Sequence, residues 1–163
     1  MSDEVGLREA SFGDGEQIFT LFSELNLESD SLQMDDLSDR SISKINKQLA
    51  FIQSSSTNLI LVATLGDELI GVITIIQSNS VEERTAELGV GVLKEYWHQG
   101  IGSMLVDEAL YWAQNFSDLN SIWLDVFADN QYAYRIYQSM GFTLTKKAVQ
   151  NGRRVIHMEL EFN

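Results

Sequence analysis

The sequence predicts a single α/β domain, of the mixed α+β kind, in which helices cover both faces of one central sheet. Its 163 residues suit one domain, 1–163, and are enough to bury a substantial core. Apolar residues make up 44% and charged residues 21%, which is typical of an ordinary soluble globular protein. Segments with strand and helix patterns alternate along the chain, and no repeat, linker or low-complexity tract interrupts them.

The N-terminal part is predicted to contain one strand and two helices. Residues 4–9 suit a short strand, and Asp14 followed by Gln17 suits a helix cap. Residues 26–40 are polar and are expected to be irregular, before a second helix over 41–54. The predicted apolar faces of the two helices are formed by Ile18, Phe19, Phe22 and Leu25, and by Ile42, Ile45, Leu49 and Ile52.

The middle of the chain is predicted to form a hairpin and a further strand. Two β-rich runs, 59–65 and 69–77, are separated by the turn residues Gly66 and Asp67. A second polar turn over 78–83 leads into residues 85–93, which are apolar and β-branched enough for a buried strand.

A glycine-containing turn over 97–102 connects this strand to a third helix, whose predicted apolar face is formed by Ile101, Leu105, Ala109, Trp112 and Phe116. A helix N-terminus that follows a strand presents unpaired N–H groups and a positive dipole end, which suits an anion such as phosphate. The turn is not a dinucleotide-binding fingerprint, because Leu105 stands where the third glycine would be, and no Gly-Lys-Ser/Thr follows as in a P-loop. A plain tight connection is the alternative.

A strand over 121–128, a short helix over 130–140 and a closing hairpin complete the prediction. The hairpin strands, 142–149 and 155–162, flank Asn151-Gly152, which is a strong signal for a two-residue turn.

The short helix carries residues that suit a binding site. Asn130 stands at the N-cap directly after a strand, and Ala133 is small enough for a ligand or another backbone to approach. Tyr137 lies two turns into the helix with its hydroxyl directed back toward the N-terminal end, although a half-buried core tyrosine is the alternative. Gly141 suits the left-handed position that ends a helix.

The composition excludes several kinds of chemistry. The sequence has no cysteine, so disulfides, thiolate zinc sites and a cysteine nucleophile are all absent. The two histidines, His98 and His157, are too few and too scattered for a histidine-based metal site, so we predict no metal. No Gly-x-Ser-x-Gly motif is present for a serine nucleophile.

The charge narrows the range of partners. A net charge of −13 argues against nucleic acid, whose phosphates need clustered Lys and Arg. It is compatible with a cationic substrate, with solubility alone as the alternative. No apolar run approaches the ~20 residues that span a bilayer, and the acidic N-terminus lacks the layout of a signal peptide. We therefore expect a cytoplasmic protein without a membrane partner.

Residues 85–142 resemble the GNAT acetyltransferases. That family's motif Asn-x-x-Ala-x-x-(aliphatic)-Tyr-x-x-x-Gly-Phe is matched at every fixed position from Asn130 to Phe142. The family's acyl-coenzyme A loop, Arg/Gln-x-x-Gly-x-Gly/Ala, is matched by Gly100 and Gly102, whereas Trp97 stands at the Arg/Gln position. The departure affects one side-chain contact with phosphate and not the backbone contacts.

The resemblance implies a fold, a cofactor and an activity. The fold is a mixed, mostly antiparallel, twisted sheet of about seven strands, in which two strands splay apart to admit the cofactor. Gly89 and Gly91 fit a bulged strand that a ligand approaches closely. The activity is transfer of an acetyl group from acetyl-coenzyme A directly to a primary amine of a small molecule or peptide, without a covalent enzyme intermediate. The implied cofactor-binding residues are Val90, Gly91, Val92, His98, Gln99, Gly100, Ile101, Gly102, Ser103, Asn130, Ala133 and Tyr137.

The implied chemistry is attack of a neutral amine on a thioester. Because an alkyl amine with a pKa near ~10.4 is almost entirely protonated at neutral pH, a base is useful. The resemblance assigns this role to Glu87, and an ion pair with a neighbour such as Arg84 is the alternative. It assigns Tyr137 as the general acid for the leaving thiolate, while backbone N–H near Val90 would polarise the thioester carbonyl.

The sequence leaves the acceptor open. The acidic segment 28–39 and the closing hairpin are the candidate specificity regions, with solvated loop as the alternative for most of these acids. Many family members are dimers, so the resemblance allows a homodimer through an exposed last strand. The rival function is a non-catalytic acyl-coenzyme A-binding sensor or regulatory module on the same fold. An acetyltransferase toxin acting on charged tRNA would need a basic face, of which the sequence gives no sign.

Overall fold

The computed structural model describes residues 4–28, 42–77 and 84–162, which form seven strands and four helices. The strands are β1 (Val5–Glu9), β2 (Leu59–Leu65), β3 (Glu68–Gln77), β4 (Thr85–Val92), β5 (Ser121–Phe127), β6 (Thr143–Gln150) and β7 (Arg153–Glu161). The helices are α1 (Gly15–Glu28), α2 (Ile42–Gln53), α3 (Ile101–Phe116) and α4 (Gln131–Ser139). A short 3-10 turn, Lys94–Tyr96, precedes the loop before α3.

The strands form one sheet in the order β1-β2-β3-β4-β5-β7-β6. Every neighbouring pair is antiparallel except β4 and β5, which run parallel. The predicted mixed, mostly antiparallel sheet of seven strands is therefore confirmed.

The parallel pair β4–β5 separates soon after it begins. The two strands pair only from Thr85–Glu87 to Ser121–Trp123, although β4 continues to Val92 and β5 to Phe127. The expected splay is thus present, and it leaves one backbone edge of β4 open. The bulge expected from Gly89 and Gly91 does not occur in the β3–β4 ladder, because the register there stays constant from Ala86 to Val92. The gap arises from divergence of the strands, without an inserted residue.

Helices cover both faces of the sheet where β2 and β3 lie. Five successive residues of β2 and five of β3 are buried, and since successive side chains of a strand point to opposite faces, both faces must be covered. The helices α1 and α2 contact β3 and β2 respectively, and α3 contacts β2, β3 and β4. This packing anchors β4 at one side of the gap.

Local details differ from the sequence-based predictions at four places. Helix α1 continues to Glu28, so residues 26–28 are not irregular as predicted. The Asp14 carboxylate does not cap α1; it binds Arg8 at 2.8 Å and the Ser11 amide at 2.8 Å. Phe116 and Ile42, which were predicted to belong to buried helix faces, are 66% and 44% exposed. Phe116 is the last residue of α3 and Ile42 the first of α2, so each extends beyond the part of its helix that packs on the sheet. The predicted turn 78–83, like most of the acidic segment 28–39, lies outside the described residues.

The closing hairpin follows the prediction from Asn151-Gly152. Both residues have positive φ, 51° and 80°, as a two-residue turn of this kind requires. The edge strand on this side of the sheet is the exposed β6, however, and the last strand β7 lies between β5 and β6. Both backbone edges of β7 are therefore paired, so a second chain cannot extend the sheet at the last strand. None of the helices in the described ranges is long and apolar enough to cross a membrane.

Candidate active site

The gap between β4 and β5 opens into a cavity of about 660 Å³, a size typical of small-molecule sites. Its lining comes from β3, β4, the loop and first turn of α3, β5, α4 and the C-terminal end of α1. The cavity therefore lies where the predicted cofactor strand, the predicted phosphate loop and the Asn130–Tyr137 helix meet.

One wall is the open backbone edge of β4. The Leu93 amide donates a 2.9 Å hydrogen bond to the Ile70 carbonyl, and alternate residues of an antiparallel strand face the same neighbour. It follows that the backbone groups of Val90 and Val92 point away from β3, into the gap, where β5 does not pair with them. An extended ligand that carries amide groups can pair with this edge as an added strand does.

Trp97 occupies the last carbonyl of this edge, at the C-terminal end of β4. Its indole Nε1 donates a 2.7 Å hydrogen bond to the Val92 carbonyl, and Lys94 Nζ lies 5.9 Å from the ring centre. The Val92 carbonyl is therefore already engaged, which leaves its amide and both groups of Val90 for a ligand. The residue that departs from the family motif fastens the loop before α3 to the end of β4.

The N-terminus of α3 forms the second wall. Gly100, the N-cap residue, has φ of 80°, which is the left-handed region that favours glycine. The amides of Ile101, Gly102 and Ser103 have no hydrogen-bond partner in the described part of the chain, and no side chain caps them. A Cβ on Gly102 would meet only Val92 Cγ2, at 3.9 Å, so the space beside these amides is open. Free amides at the positive end of a 16-residue helix suit a phosphate group.

Helix α4 forms the third wall. Asn130 caps it as predicted, because its side chain accepts a 3.2 Å hydrogen bond from the Ala133 amide. Tyr137 lines the cavity while its side chain is largely buried, 9% exposed, with the ring edge-on to Phe142 at 5.9 Å. Its hydroxyl makes no hydrogen bond to any described residue. Since buried tyrosine hydroxyls usually have a partner, this hydroxyl is available for a ligand.

Burial raises the pKa of Tyr137 to about 12, because the surroundings disfavour the charged phenolate. An unfolded chain releases this proton near pH 10, so between about pH 10 and pH 12 the unfolded state binds fewer protons than the folded state. The free energy of unfolding should therefore fall over this interval, by about 2 to 3 kcal/mol in total from Tyr137. Below pH 10 this contribution is fully present.

Urea unfolding of the wild type and of Tyr137→Phe at pH 8 and pH 11 measures this effect. We expect the variant to lose less stability than the wild type on the change to pH 11. Equal losses in the two proteins would show that the Tyr137 phenol titrates as in the unfolded chain.

The structure brings nearly all of the predicted site residues to the cavity. The residues from Val90 to Val92, His98, the residues from Gly100 to Ser103, and Asn130, Ala133 and Tyr137 all line it, as does Glu87. Gln99 is the exception: it is exposed and does not line the cavity. The preceding His98 has a left-handed backbone with φ of 62°, which turns the chain at this point.

Side chains of β5 form a further part of the cavity wall, which was not predicted from the sequence. Trp123 is the register partner of Glu87, and Asp125 lies two residues further along β5. The His157 Nδ1 lies 2.8 Å from Asp125 Oδ1, and its Nε2 lies 3.4 Å from Glu159 Oε1. The alternation of β5, in which Ile122, Leu124 and Val126 are buried, was a signal that the intervening residues share the other face.

His98 and Tyr132 contact each other at the mouth of the cavity. Their ring centres are 5.2 Å apart in an edge-on arrangement, and the contact joins the α3 loop to the first turn of α4. Within the described ranges, no group of three His, Asp or Glu side chains is arranged to hold a metal ion.

The chain matches a family profile over most of its length. The profile of the Acetyltransferase (GNAT) family covers residues 16–142. The L-amino acid N-acetyltransferase AaaT of Escherichia coli (strain K12) is 30% identical over 100 residues, which are 58% of this chain and 62% of that protein. The match thus spans less than two thirds of this relative's length.

Two solved structures are similar over nearly the whole chain. The acetyltransferase of the GNAT family from Streptococcus pneumoniae is 26% identical with a TM-score of 0.88, covering 98% of this chain and 100% of that one. A putative acetyltransferase, yncA, from Salmonella typhimurium, solved with its cofactor acetyl-CoA, is 17% identical with a TM-score of 0.81. This second similarity covers 98% of this chain and 95% of that one, and it concerns the fold alone.

Proposed function

This chain belongs to the acetyltransferase (GNAT) family, and from that premise we propose that it transfers the acetyl group of acetyl-coenzyme A directly to a primary amine of a small molecule or peptide. The observation that carries the proposal is that unengaged groups from three walls face one cavity. They are the backbone edge at Val90, the first-turn amides of α3 and the Tyr137 hydroxyl. We further propose the cytoplasmic location that the sequence predicts.

The groups that face the cavity fit the chemistry of the cofactor. Its pantetheine arm carries amides that suit the open edge at Val90 and the Val92 amide. Its pyrophosphate suits the amides of Ile101, Gly102 and Ser103 at the positive end of α3. When bound, acetyl-coenzyme A supplies a thioester whose carbonyl carbon is attacked by the acceptor amine.

Glu87 is the proposed base. It is exposed on the cavity wall and lies at the last point where β4 and β5 pair, directly below the gap. Since most of an alkyl amine with a pKa near ~10.4 is protonated at neutral pH, a carboxylate here would take up the proton of the incoming ammonium group, directly or through water. The amine lone pair is then free to form the new N–C bond.

Tyr137 is the proposed donor to the departing sulfur. Its pKa of about 12 keeps the hydroxyl protonated at any pH at which the reaction is assayed. Full transfer of this proton to a thiolate of ordinary pKa, about 8.5, would cost roughly 5 kcal/mol. Instead of the full proton transfer that the resemblance implies, Tyr137 therefore donates a hydrogen bond to the sulfur as negative charge develops there.

An acceptor screen tests the proposal. Purified protein is incubated with acetyl-coenzyme A and single members of a panel containing polyamines, amino acids, aminoglycosides and peptides. We expect at least one amine to release thiol in step with the appearance of its acetylated form by mass spectrometry. Binding of acetyl-coenzyme A without acetylation of any amine would instead favour the non-catalytic acyl-coenzyme A sensor.

A further inference from the structure

We propose that Asp125 is a specificity-determining residue that binds a second cationic group of the acceptor, so that the preferred substrate is a diamine or polyamine without a carboxylate. The inference rests on the proposed function, because it concerns the acceptor end of the same cavity. Nothing in the family motif points to this residue, since it lies on β5, outside both motif segments.

The position of Asp125 follows from the divergence of β4 and β5. Trp123 is the last residue of β5 that pairs with β4, opposite Glu87. Asp125 lies two residues beyond, about 7 Å along the strand, where β5 has no partner on that side. Its side chain lines the cavity and is 30% exposed. The Asp125 carboxylate therefore lies at the edge of the gap and is accessible from it.

The carboxylate is held in place by His157, its register partner on β7. One oxygen, Oδ1, lies 2.8 Å from His157 Nδ1, and the other oxygen has no partner in the described part of the chain. The imidazole is itself fixed, because it stacks on Trp123 at 5.0 Å and its Nε2 lies 3.4 Å from Glu159. His157 is thus a positioning residue that orients one oxygen of Asp125 and leaves the second for a ligand.

The charge of the cavity favours a cationic acceptor. Glu87 and Asp125 are the two carboxylates of its described lining, and no lysine or arginine is among the lining residues. The imidazole of His98 belongs to the α3 loop, at the cofactor end. Among the described residues of the lining, an acceptor carboxylate at the β5 end would therefore find no lysine or arginine partner and would face Asp125. Burying an unpaired charge in this way is unfavourable, whereas a second ammonium group gains a charge-assisted hydrogen bond.

The two carboxylates are also separated by a useful distance. Glu87 lies opposite Trp123, and paired strands are about 5 Å apart. Because the strands diverge beyond this pair, the Cα atoms of Glu87 and Asp125 are at least about 8 Å apart. A diamine with a few carbons between its nitrogens can place one nitrogen toward Glu87 and the other toward Asp125. The nitrogen near Glu87 is the one positioned to lose its proton and react.

Three acceptors with the same four-carbon chain test the proposal, because they differ only in the end group. Putrescine carries a second ammonium group, butylamine carries none, and γ-aminobutyrate carries a carboxylate. For the wild type we expect kcat/KM to fall in that order. In Asp125→Asn we expect the KM for putrescine to rise about tenfold or more, with kcat and the KM for butylamine changed less than about twofold. Asp125→Glu should restore part of the preference.

Glu161→Gln is the matched control, because it removes a carboxylate of β7 at an exposed residue that does not line the cavity. It should keep the wild-type order of acceptors. Calorimetric titration of each protein with acetyl-coenzyme A distinguishes failure of the proposed function from failure of the role of Asp125. Absence of binding by the wild type would overturn both the proposed function and the role of Asp125. If acetyl-coenzyme A binds normally, three results would overturn the role of Asp125 alone. They are turnover of γ-aminobutyrate equal to or better than that of putrescine, no turnover of any of the three acceptors, and a preference for putrescine that Asp125→Asn leaves unchanged.

Discussion

Replacing Gly102 with valine is expected to weaken acetyl-coenzyme A binding by at least about a hundredfold while the protein remains folded. The backbone tolerates the side chain, because an added Cβ would meet only Val92 Cγ2, at 3.9 Å. The valine methyl groups would then occupy the space beside the free amides at the start of α3. Loss of two charge-assisted hydrogen bonds to phosphate, at about 1.5 kcal/mol or more each, accounts for a decrease of this size.

Met104→Val is the matched control for this experiment. Met104 lies in the same turn of α3, is 42% exposed and does not line the cavity, so the change introduces the same β-branched residue away from the amides. Calorimetry should give near wild-type affinity for this control, and thermal unfolding should show that both variants are folded. Wild-type affinity in a folded Gly102→Val protein would contradict the assignment of the α3 N-terminus as the pyrophosphate site.

The Tyr137→Phe variant is expected to lower kcat by about a hundredfold with less than about a threefold change in affinity for acetyl-coenzyme A. The substitution removes only the hydroxyl and keeps the ring that packs against Phe142. Because the hydroxyl is needed chiefly as negative charge develops on sulfur, its loss affects the transition state more than the bound ground state. Since it has no partner among the described residues, its removal should cost little folding stability at neutral pH.

Tyr134→Phe provides the comparison, because it removes a phenolic hydroxyl from the same helix but from a residue that does not line the cavity. Steady-state kinetics should show a near wild-type kcat for this control. If Tyr137→Phe also kept the wild-type kcat, Tyr137 would be a packing residue of α4, which is the alternative that the sequence left open.

Much of the fold follows from local sequence signals. Gly66-Asp67 and Asn151-Gly152 fix two hairpins, because these pairs adopt the tight turns that join antiparallel strands. Asn130 caps α4 because an Asn side chain at this position accepts a hydrogen bond from the third residue of the helix. These predictions succeed because the determining contacts lie within a few residues of each other.

Other features depend on contacts between distant parts of the chain. Asp14 was expected to cap α1, but Arg8 provides a stronger partner for its carboxylate, and this ion pair holds the pKa of Asp14 below its usual range. The contact between Asp125 and His157 joins residues 32 positions apart, and it exists only because β5 and β7 pair in this register. No spacing rule in the sequence predicts such a pairing.

Trp97 illustrates how a departure from a motif can be interpreted only in the structure. The sequence indicates that a side-chain contact with phosphate is missing. The structure shows that the indole engages the Val92 carbonyl across five residues, and so holds the loop to β4. The phosphate site at α3 is thus left to backbone amides, which explains why Gly102 is expected to matter so strongly.

The measurement that tests the central claim most directly is calorimetric titration of the wild-type protein with acetyl-coenzyme A, desulfo-coenzyme A and ATP. The open edge of β4 and the α3 amides together predict low-micromolar binding of both coenzyme A compounds. ATP, which has the adenine and phosphates but no pantetheine arm, should bind at least about a hundredfold more weakly. Absence of binding by acetyl-coenzyme A, or equal affinity for ATP, would contradict the assignment of the β4–β5 gap as the site of the pantetheine arm.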